Sequence, residues 1–434
     1  MEKRKIKNSI DSWKEYEALQ QPLWPNKSDY NKVIEKLHSY PPIILSDRIN
    51  KLKTRLKQVE NNKAFLIQGG DCAESFKEFS EHNIKNKLKI LYQMATIISY
   101  GASIDTVKIG RIAGQYAKPR SSDFEIRNNI KLPTYRGDSV NDITFDLNSR
   151  TPNPKRLLEA YNKSTSTLNL IQPIIKNEFK ELKQFWNIEM LNHSKIYIRF
   201  EQIIQNINKS LKFFNAISNK GNLFNEEKFN EFFISHECLL LDYETALTRK
   251  NNSHYYNASA HMLWLGDRTR NIKSAHVEYL SKINNPIGIK CGPSLDVEDL
   301  QLILSKINPD NEKGKIILIC RFGSKKIKAY LPKLINMVIK NKFNVIWSCD
   351  PMHGNTYESK NKYKTRNFNT ITKELQLFFE IHNNNATHAN GVHFELTPND
   401  VTECVGGIKN IKESDLHINY ETSCDPRLNH EQSI

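Results

Sequence analysis

The sequence predicts an α/β chain folded as a (β/α)8 TIM barrel, with an N-terminal extension over residues 1–60 and an inserted helical segment after the second barrel strand, at about 157–233. Three observations carry that expectation. Eight short apolar runs are spread over residues 61–434. Helix-patterned stretches separate several of them. Each run stops abruptly at Gly, Cys, Asp, Glu, His, Lys or Arg, the residue types that a barrel gathers at the C-terminal ends of its strands. An open doubly wound sheet would also alternate strand and helix; the polar residues at the run ends favour the barrel.

In order along the chain, the extension begins MEKRKIKNSIDSWKEYE, which carries Glu2, Asp11 and Glu15 and has no apolar segment. Neither a signal peptide nor a transit peptide is therefore expected, and the expected location is the cytoplasm. Gln21-Pro22-Leu23-Trp24-Pro25-Asn26 is turn-rich. A helix is expected from Ser28 to His38, ended by Tyr40-Pro41-Pro42, and a second, amphipathic one from Ser46 to Glu60. The expected strands are Ala64–Ile67, Thr106–Ile109, Cys238–Leu241, Met262–Leu265, Pro286–Ile289, Ile316–Cys320, Phe343–Trp347 and Gly391–Phe394. Val297–Lys306 and Lys325–Lys340 read as barrel helices, and Leu157–Leu170, Leu182–Met190 and Ile203–Phe214 as extra helices of the insert.

Of the 434 residues, 38% are hydrophobic and 26% charged, which suits a globular protein and is too apolar for a disordered one. No apolar run approaches the roughly 18 residues of a membrane helix. The net charge is +15, from 63 basic against 48 acidic residues. The basic residues are scattered and form no stripe, so a small polyanionic substrate is a better expectation than a nucleic acid. The 7 cysteines (Cys72, Cys238, Cys291, Cys320, Cys349, Cys404, Cys424) form no CxxC pair, which reads as a reducing compartment.

Two sets of residues carry chemistry. Cys72, His353, Glu395 and Asp425 lie in QGGDCAESF, CDPMHGNT, GVHFELTPND and YETSCDPRLN. One thiolate, one imidazole and two carboxylates suit a divalent first-row metal such as Mn²⁺, Co²⁺ or Zn²⁺. Taken singly, a buried cysteine is usually inert and a lone histidine after a strand is usually a satisfied loop residue. Their common place at strand ends favours ligation. The second set is cationic. Arg111, Lys118 and Arg120 lie in GRIAGQYAKPRSS, Arg268 and Arg270 in WLGDRTR, Lys290 in GIKCGPS and Arg321 in LICRFG. Cations that directly follow apolar strands are costly unless they meet anions, and arginine grips phosphate and carboxylate with two parallel bonds. A metal beside several such cations suggests chemistry on phosphorylated acids or sugars.

Those motifs, with YRGD, HMLWLGDRTR, WSCDPMHGNT, GVHFELTPNDVTECVGG and the closing CDPRLN, resemble the type II 3-deoxy-D-arabino-heptulosonate 7-phosphate (DAHP) synthases from about Trp24 to about Asn429. The resemblance implies a metal-dependent barrel that condenses phosphoenolpyruvate with D-erythrose 4-phosphate and water, giving DAHP and phosphate, the first step towards chorismate. It implies metal ligation by Cys72, His353, Glu395 and Asp425, with Mn²⁺ or Co²⁺ favoured and Zn²⁺ third. It gives phosphoenolpyruvate to Arg111, Asp267, Arg268, Lys290 and Arg321, and erythrose 4-phosphate to Lys118, Arg120, Ser121 and Lys364. Lys118 and Lys290 become the catalytic pair, Lys118 polarising or protonating the new alkoxide. A homodimer or homotetramer is implied, with no nucleic acid or membrane partner.

The family usually has Glu where this chain has Asp267, so a carboxylate there reaches less far. The extension is shorter than in the longest relatives, which build feedback sites from extension and insert. Cys424 directly precedes Asp425, so loss of a shared metal would let Cys424 and Cys72 form a disulfide. The competing reading is a paralogue making aminoDAHP, or DAHP for secondary metabolism. A zinc hydrolase is disfavoured because no strand-borne cluster of histidines is present.

Overall fold

In the computed structural model, which describes residues 9–178 and 230–434 with 198, 202, 203, 205, 206, 209 and 228, eight parallel strands close into a barrel. They are β1 (Ala64–Gly70), β2 (Asp105–Arg111), β3 (Phe233–Glu237), β4 (Met262–Leu265), β5 (Ile287–Cys291), β6 (Ile316–Cys320), β7 (Ile346–Cys349) and β8 (Gly391–Glu395). Each pairs with its neighbours in sequence, and β8 closes on β1 from Leu66↔Gly391 to Gly70↔Glu395. Helices follow the strands on the outside, from Glu81–Ala102 after β1 to Phe368–Asn384 after β7. Among the described residues no helix is long and apolar enough to cross a membrane.

Two helices precede the barrel, α1 (Lys27–Ser39) and α2 (Ser46–Glu60). The side chain of Asn26 caps α1 by accepting from the N–H groups of Ser28 and Asp29. In α2, Ile49, Leu52, Leu56 and Val59 fall on one stripe and are fully buried. Three of them, Leu52, Leu56 and Val59, pack with Ala64, Leu66, Val107, Ile109, Phe233, Met262, Trp264, Ile317, Ile319 and Ile346 from the barrel interior. α2 thus closes the lower, N-terminal mouth. Lys53 ties it to the lower loops through Asn284 (2.8 Å) and Glu312 (2.9 Å).

The interior grows polar towards the other end. Above the aliphatic layer, Gln68 donates to Ser235 (2.9 Å) and shares a bond with His393 (2.8 Å). Above that layer stand Arg111, Glu237, Lys290, Asp350 and Glu395, all at or next to strand ends. The fold expectation therefore holds. The boundaries show where apolar runs mislead. β4 and β6 match their expected spans, while β1, β2, β5 and β8 continue one to three residues into polar sequence.

The third strand is a correction: it is Phe233–Glu237, and the expected Cys238–Leu241 is the buried connection into a short helix, Leu241–Ala246. Phe233, Ser235 and Glu237 face inwards, and two of the three are polar, so the short apolar run Phe232-Phe233-Ile234 covers only the start of the strand. Within the insert, the expected helix Leu157–Leu170 lies inside Lys155–Glu178. The expected helices Leu182–Met190 and Ile203–Phe214 fall outside the described stretches.

Candidate active site

The upper ends of β1 and β2 approach closely because Gly70 has no side chain. Its φ is +145°, and a Cβ there would lie 2.7 Å from the Arg111 carbonyl oxygen. The chain then turns through Asp71 into Cys72, whose thiol is buried.

Cys72, Glu395 and Asp425 offer ligand atoms all within 4.8 Å of one another. His353 Nε2 lies 3.1 Å from Glu395 Oε1, and its Nδ1 is 2.8 Å from Asp350 Oδ2. That second bond fixes the ring with Nε2 towards the cluster, the usual support for a ligating histidine. Glu395 is fully buried between Arg111 (3.1 Å) and Arg366 (2.7 Å). Burial alone would raise its pKa, but His353, Arg366 and Arg111 overcome that and hold it well below the usual carboxylate range. A cation already stands among these anions. The Lys118 ammonium bonds both Cys72 Sγ and Asp425 Oδ2 (2.7 Å to the latter), and those neighbours keep its pKa well above the ordinary value despite burial. A cysteine sulfur, which a bound ion would hold as thiolate, with an imidazole and two carboxylates that already draw in a positive charge, fits a divalent first-row ion.

Beside the anions stands a cationic wall. Arg111 Nη1 and Lys290 Nζ both face His393 Nε2, at 2.8 and 2.9 Å. Both are donors, so Nε2 is the acceptor and Nδ1 carries the proton towards Gln68. Burial, with Lys290 and Arg111 alongside, pushes the pKa of His393 well down and keeps it neutral. Burial also lowers Lys290 to about 8, although its partner Asp350 (2.6 Å) opposes the fall. Trp264 lies beneath both cations, its ring 5.2 Å from the Arg111 guanidinium and 5.8 Å from the Lys290 ammonium. Asp267 accepts from Arg270 (2.8 Å) and pairs with Arg321 (3.2 Å), so its carboxylate orients the two arginines.

Cys72, His353 and Asp425 share one open cavity of about 170 Å³ with Arg111, Lys118, Lys290 and Arg321. A sequence model of the class-II DAHP synthetase family matches residues 8–434, nearly the whole of this barrel and its extension. The chain belongs to that family. A Streptomyces coelicolor protein named phospho-2-dehydro-3-deoxyheptonate aldolase is 45% identical over 428 residues, covering 98% of this chain and 94% of its own. The Mycolicibacterium smegmatis phospho-2-dehydro-3-deoxyheptonate aldolase AroG is 41% identical over 439 residues, covering 99% and 93%. A solved Francisella tularensis SCHU S4 structure of the same name has a TM-score of 0.44 at 14% identity, over 96% of this chain and 95% of that one, too distant to bear on the site. The chain is accordingly a DAHP synthase, a transferase that forms a carbon–carbon bond. No finding favours a paralogue of secondary metabolism over that reading.

Twelve of the family's expected site residues line the cavity: Cys72, Arg111, Lys118, Arg120, Ser121, Asp267, Arg268, Lys290, Arg321, His353, Lys364 and Asp425. Glu395 lies just behind them, fully buried. Arg120 is anchored at both ends, by its N–H to Gln20 of the extension (2.8 Å) and by its guanidinium to Glu125 (3.1 Å). Lys364 reaches Asp425 at 3.5 Å. Cys424 and Cys72 lie in one buried cluster with Tyr135.

Sequence reasoning missed Gln115, Glu237, Trp264, Asp350, Arg366 and His393. Glu237 was hidden by the misplaced third strand; it lines the cavity, and its backbone N–H donates to Gln115 Oε1 (2.9 Å). His393 had a usable signal, because two residues before Glu395 on a strand is the same face.

Proposed function

We propose that Cys72, His353, Glu395 and Asp425 hold a divalent ion, Mn²⁺ or Co²⁺ ahead of Zn²⁺, and that the cationic wall holds phosphoenolpyruvate against erythrose 4-phosphate. The observation that carries the reading is that one cavity joins a cysteine–histidine–carboxylate cluster to Arg111, Lys290 and Arg321. When bound, the ion supplies Lewis acidity towards the aldehyde oxygen.

The remaining work falls to the chain. Arg111, Arg268, Lys290 and Arg321 neutralise the phosphate and carboxylate of phosphoenolpyruvate, Asp267 aims Arg321, and C3 is thereby held for attack on the aldehyde carbon. Lys118, Arg120, Ser121 and Lys364 take erythrose 4-phosphate. Lys118 protonates the alkoxide that C–C bond formation creates, water adds at C2, and inorganic phosphate leaves. Asp267 supports this reading in spite of being a methylene shorter than Glu, because it still reaches both Arg270 and Arg321.

The working form is proposed to be a cytoplasmic homodimer or homotetramer, with the extension as a contact surface; the extension exposes Leu23 (90%) and Leu45 (64%). Sizing by light scattering tests the assembly. The activity test is phosphate release from phosphoenolpyruvate with and without erythrose 4-phosphate, after EDTA and after Mn²⁺ is restored. Release that needs both the aldehyde and the ion is expected. Release without the aldehyde, or none with Mn²⁺ present, would refute the reading.

A further inference from the structure

Three of the four proposed ligands are placed by the barrel. Cys72 follows β1, Glu395 ends β8, and His353 follows β7 and is braced by Asp350. Asp425 has no strand. It comes from the C-terminal tail, far beyond β8 in sequence, and something else must bring it within reach of Cys72.

The tail is fastened on both sides of Asp425 by one carboxylate. Glu403, fully buried, accepts the N–H of Thr422 (2.8 Å) and of Arg427 (2.6 Å). It also accepts Nη2 (2.8 Å) and Nε (3.1 Å) of the Arg427 guanidinium. The remaining arm of that guanidinium, Nη1, reaches Asp71 Oδ1 at 2.9 Å. Asp71 is the residue directly before Cys72 and is itself fully buried, its other oxygen paired with Lys87. One arginine therefore joins the chain beside one ligand to the chain beside another. None of Asp71, Glu403 and Arg427 lines the cavity, so none of them touches substrate.

We propose that Asp71, Arg427 and Glu403 are positioning residues that fix the separation of Cys72 from Asp425 and thereby set the affinity of the site for its divalent ion. The inference rests on the metal reading above. A buried ion pair is a weak source of net stability compared with apolar packing, but it fixes geometry well. Partners standing behind metal ligands typically change metal affinity about 10–100-fold.

The test is Asp71→Asn, which keeps the shape of the side chain and leaves Arg427 on Glu403 while weakening the tie to β1. Mn²⁺ is titrated calorimetrically into metal-free protein, and phosphoenolpyruvate is titrated separately into the same preparation. The expected result is Mn²⁺ affinity weakened about 10–100-fold with phosphoenolpyruvate affinity unchanged. Arg427→Lys, which keeps the charge but not the fork, carries the same expectation if Asp71→Asn does not fold. The double variant should bind Mn²⁺ no worse than the weaker single, because both break one linkage. Wild-type Mn²⁺ affinity in the variants would overturn the inference, as would equal loss of Mn²⁺ and phosphoenolpyruvate, which marks general loosening. Wild-type protein that takes up no Mn²⁺ would instead overturn the metal reading, and this inference with it.

Discussion

Lys118 stands where a metal cluster would otherwise carry uncompensated negative charge, bonded to Cys72 and Asp425. Lys118→Met should therefore retain Mn²⁺ binding, since it removes a competing cation, and lower kcat about 10²–10⁴-fold, the usual worth of a positioned acid. Titration of the ion beside an activity assay checks both halves. Lys290 gives a pH signature. Its pKa falls to about 8 through burial, so the ammonium is present below that pH and lost above it. KM for phosphoenolpyruvate should be flat up to about pH 8 and then rise, towards about tenfold per unit, while Lys290→Met should flatten the profile. Burial pushes the Cys72 thiol up, while Cys72 and the nearby Lys118 ammonium draw Cys424 down, so Cys424 is the readier thiolate of that pair. Metal-free protein treated with hydrogen peroxide should yield a Cys72–Cys424 disulfide, with two thiols oxidised and peroxide reduced to water; non-reducing peptide mapping detects it. At this scale Arg111, Lys290, Arg321 and Glu395 were legible as polar ends of apolar runs, whereas Lys118 and Asp425 follow no such run and were read only from the motifs around them. Arg366 was not legible, because it reaches Glu395 across the fold and such a contact leaves no local pattern; His393 was legible only through its shared strand face with Glu395.

At the scale of elements, the lower barrel is closed by a helix that precedes it, so the extension is tied to the core. Leu56 of α2 is fully buried against the barrel interior, and Leu56→Ala should cost about 2–5 kcal/mol, read by denaturant unfolding. The upper end is set by close approach. A Cβ on Gly266 would come 2.0 Å from Glu237 Oε1, so Gly266→Ala should displace that carboxylate and lower kcat/KM about a hundredfold with the fold retained, as circular dichroism would show. The pair also explains the limits of reading elements from sequence. β4 and β6 are apolar throughout and were read with their correct bounds. β3 ends in Ser235-His236-Glu237, which the barrel needs as polar interior and outer support, and it was displaced onto the more apolar Cys238–Leu241 that follows.

For the whole molecule, the proposed ligands gather β1, the loop after β7, β8 and the C-terminal tail around one point. A bound ion would therefore join segments that the backbone alone leaves far apart in sequence. Binding only to the folded state stabilises by mass action, about 2.7 kcal/mol at a free Mn²⁺ concentration 100 times Kd. The melting temperature should accordingly climb with Mn²⁺ concentration, and Asp425→Asn should lose most of that climb. The location of the effect distinguishes it from unspecific ion binding to a chain of net charge +15. Removing the ion should speed amide hydrogen exchange in the tail around Thr422–Arg427, which lies outside the barrel strands. The aliphatic layer formed by Leu66, Ile109, Phe233 and Ile317 should keep its protection. Uniform acceleration across barrel and tail would mean that the ion supports the fold generally; acceleration confined to the tail would mean that it acts as the fastening of that one segment.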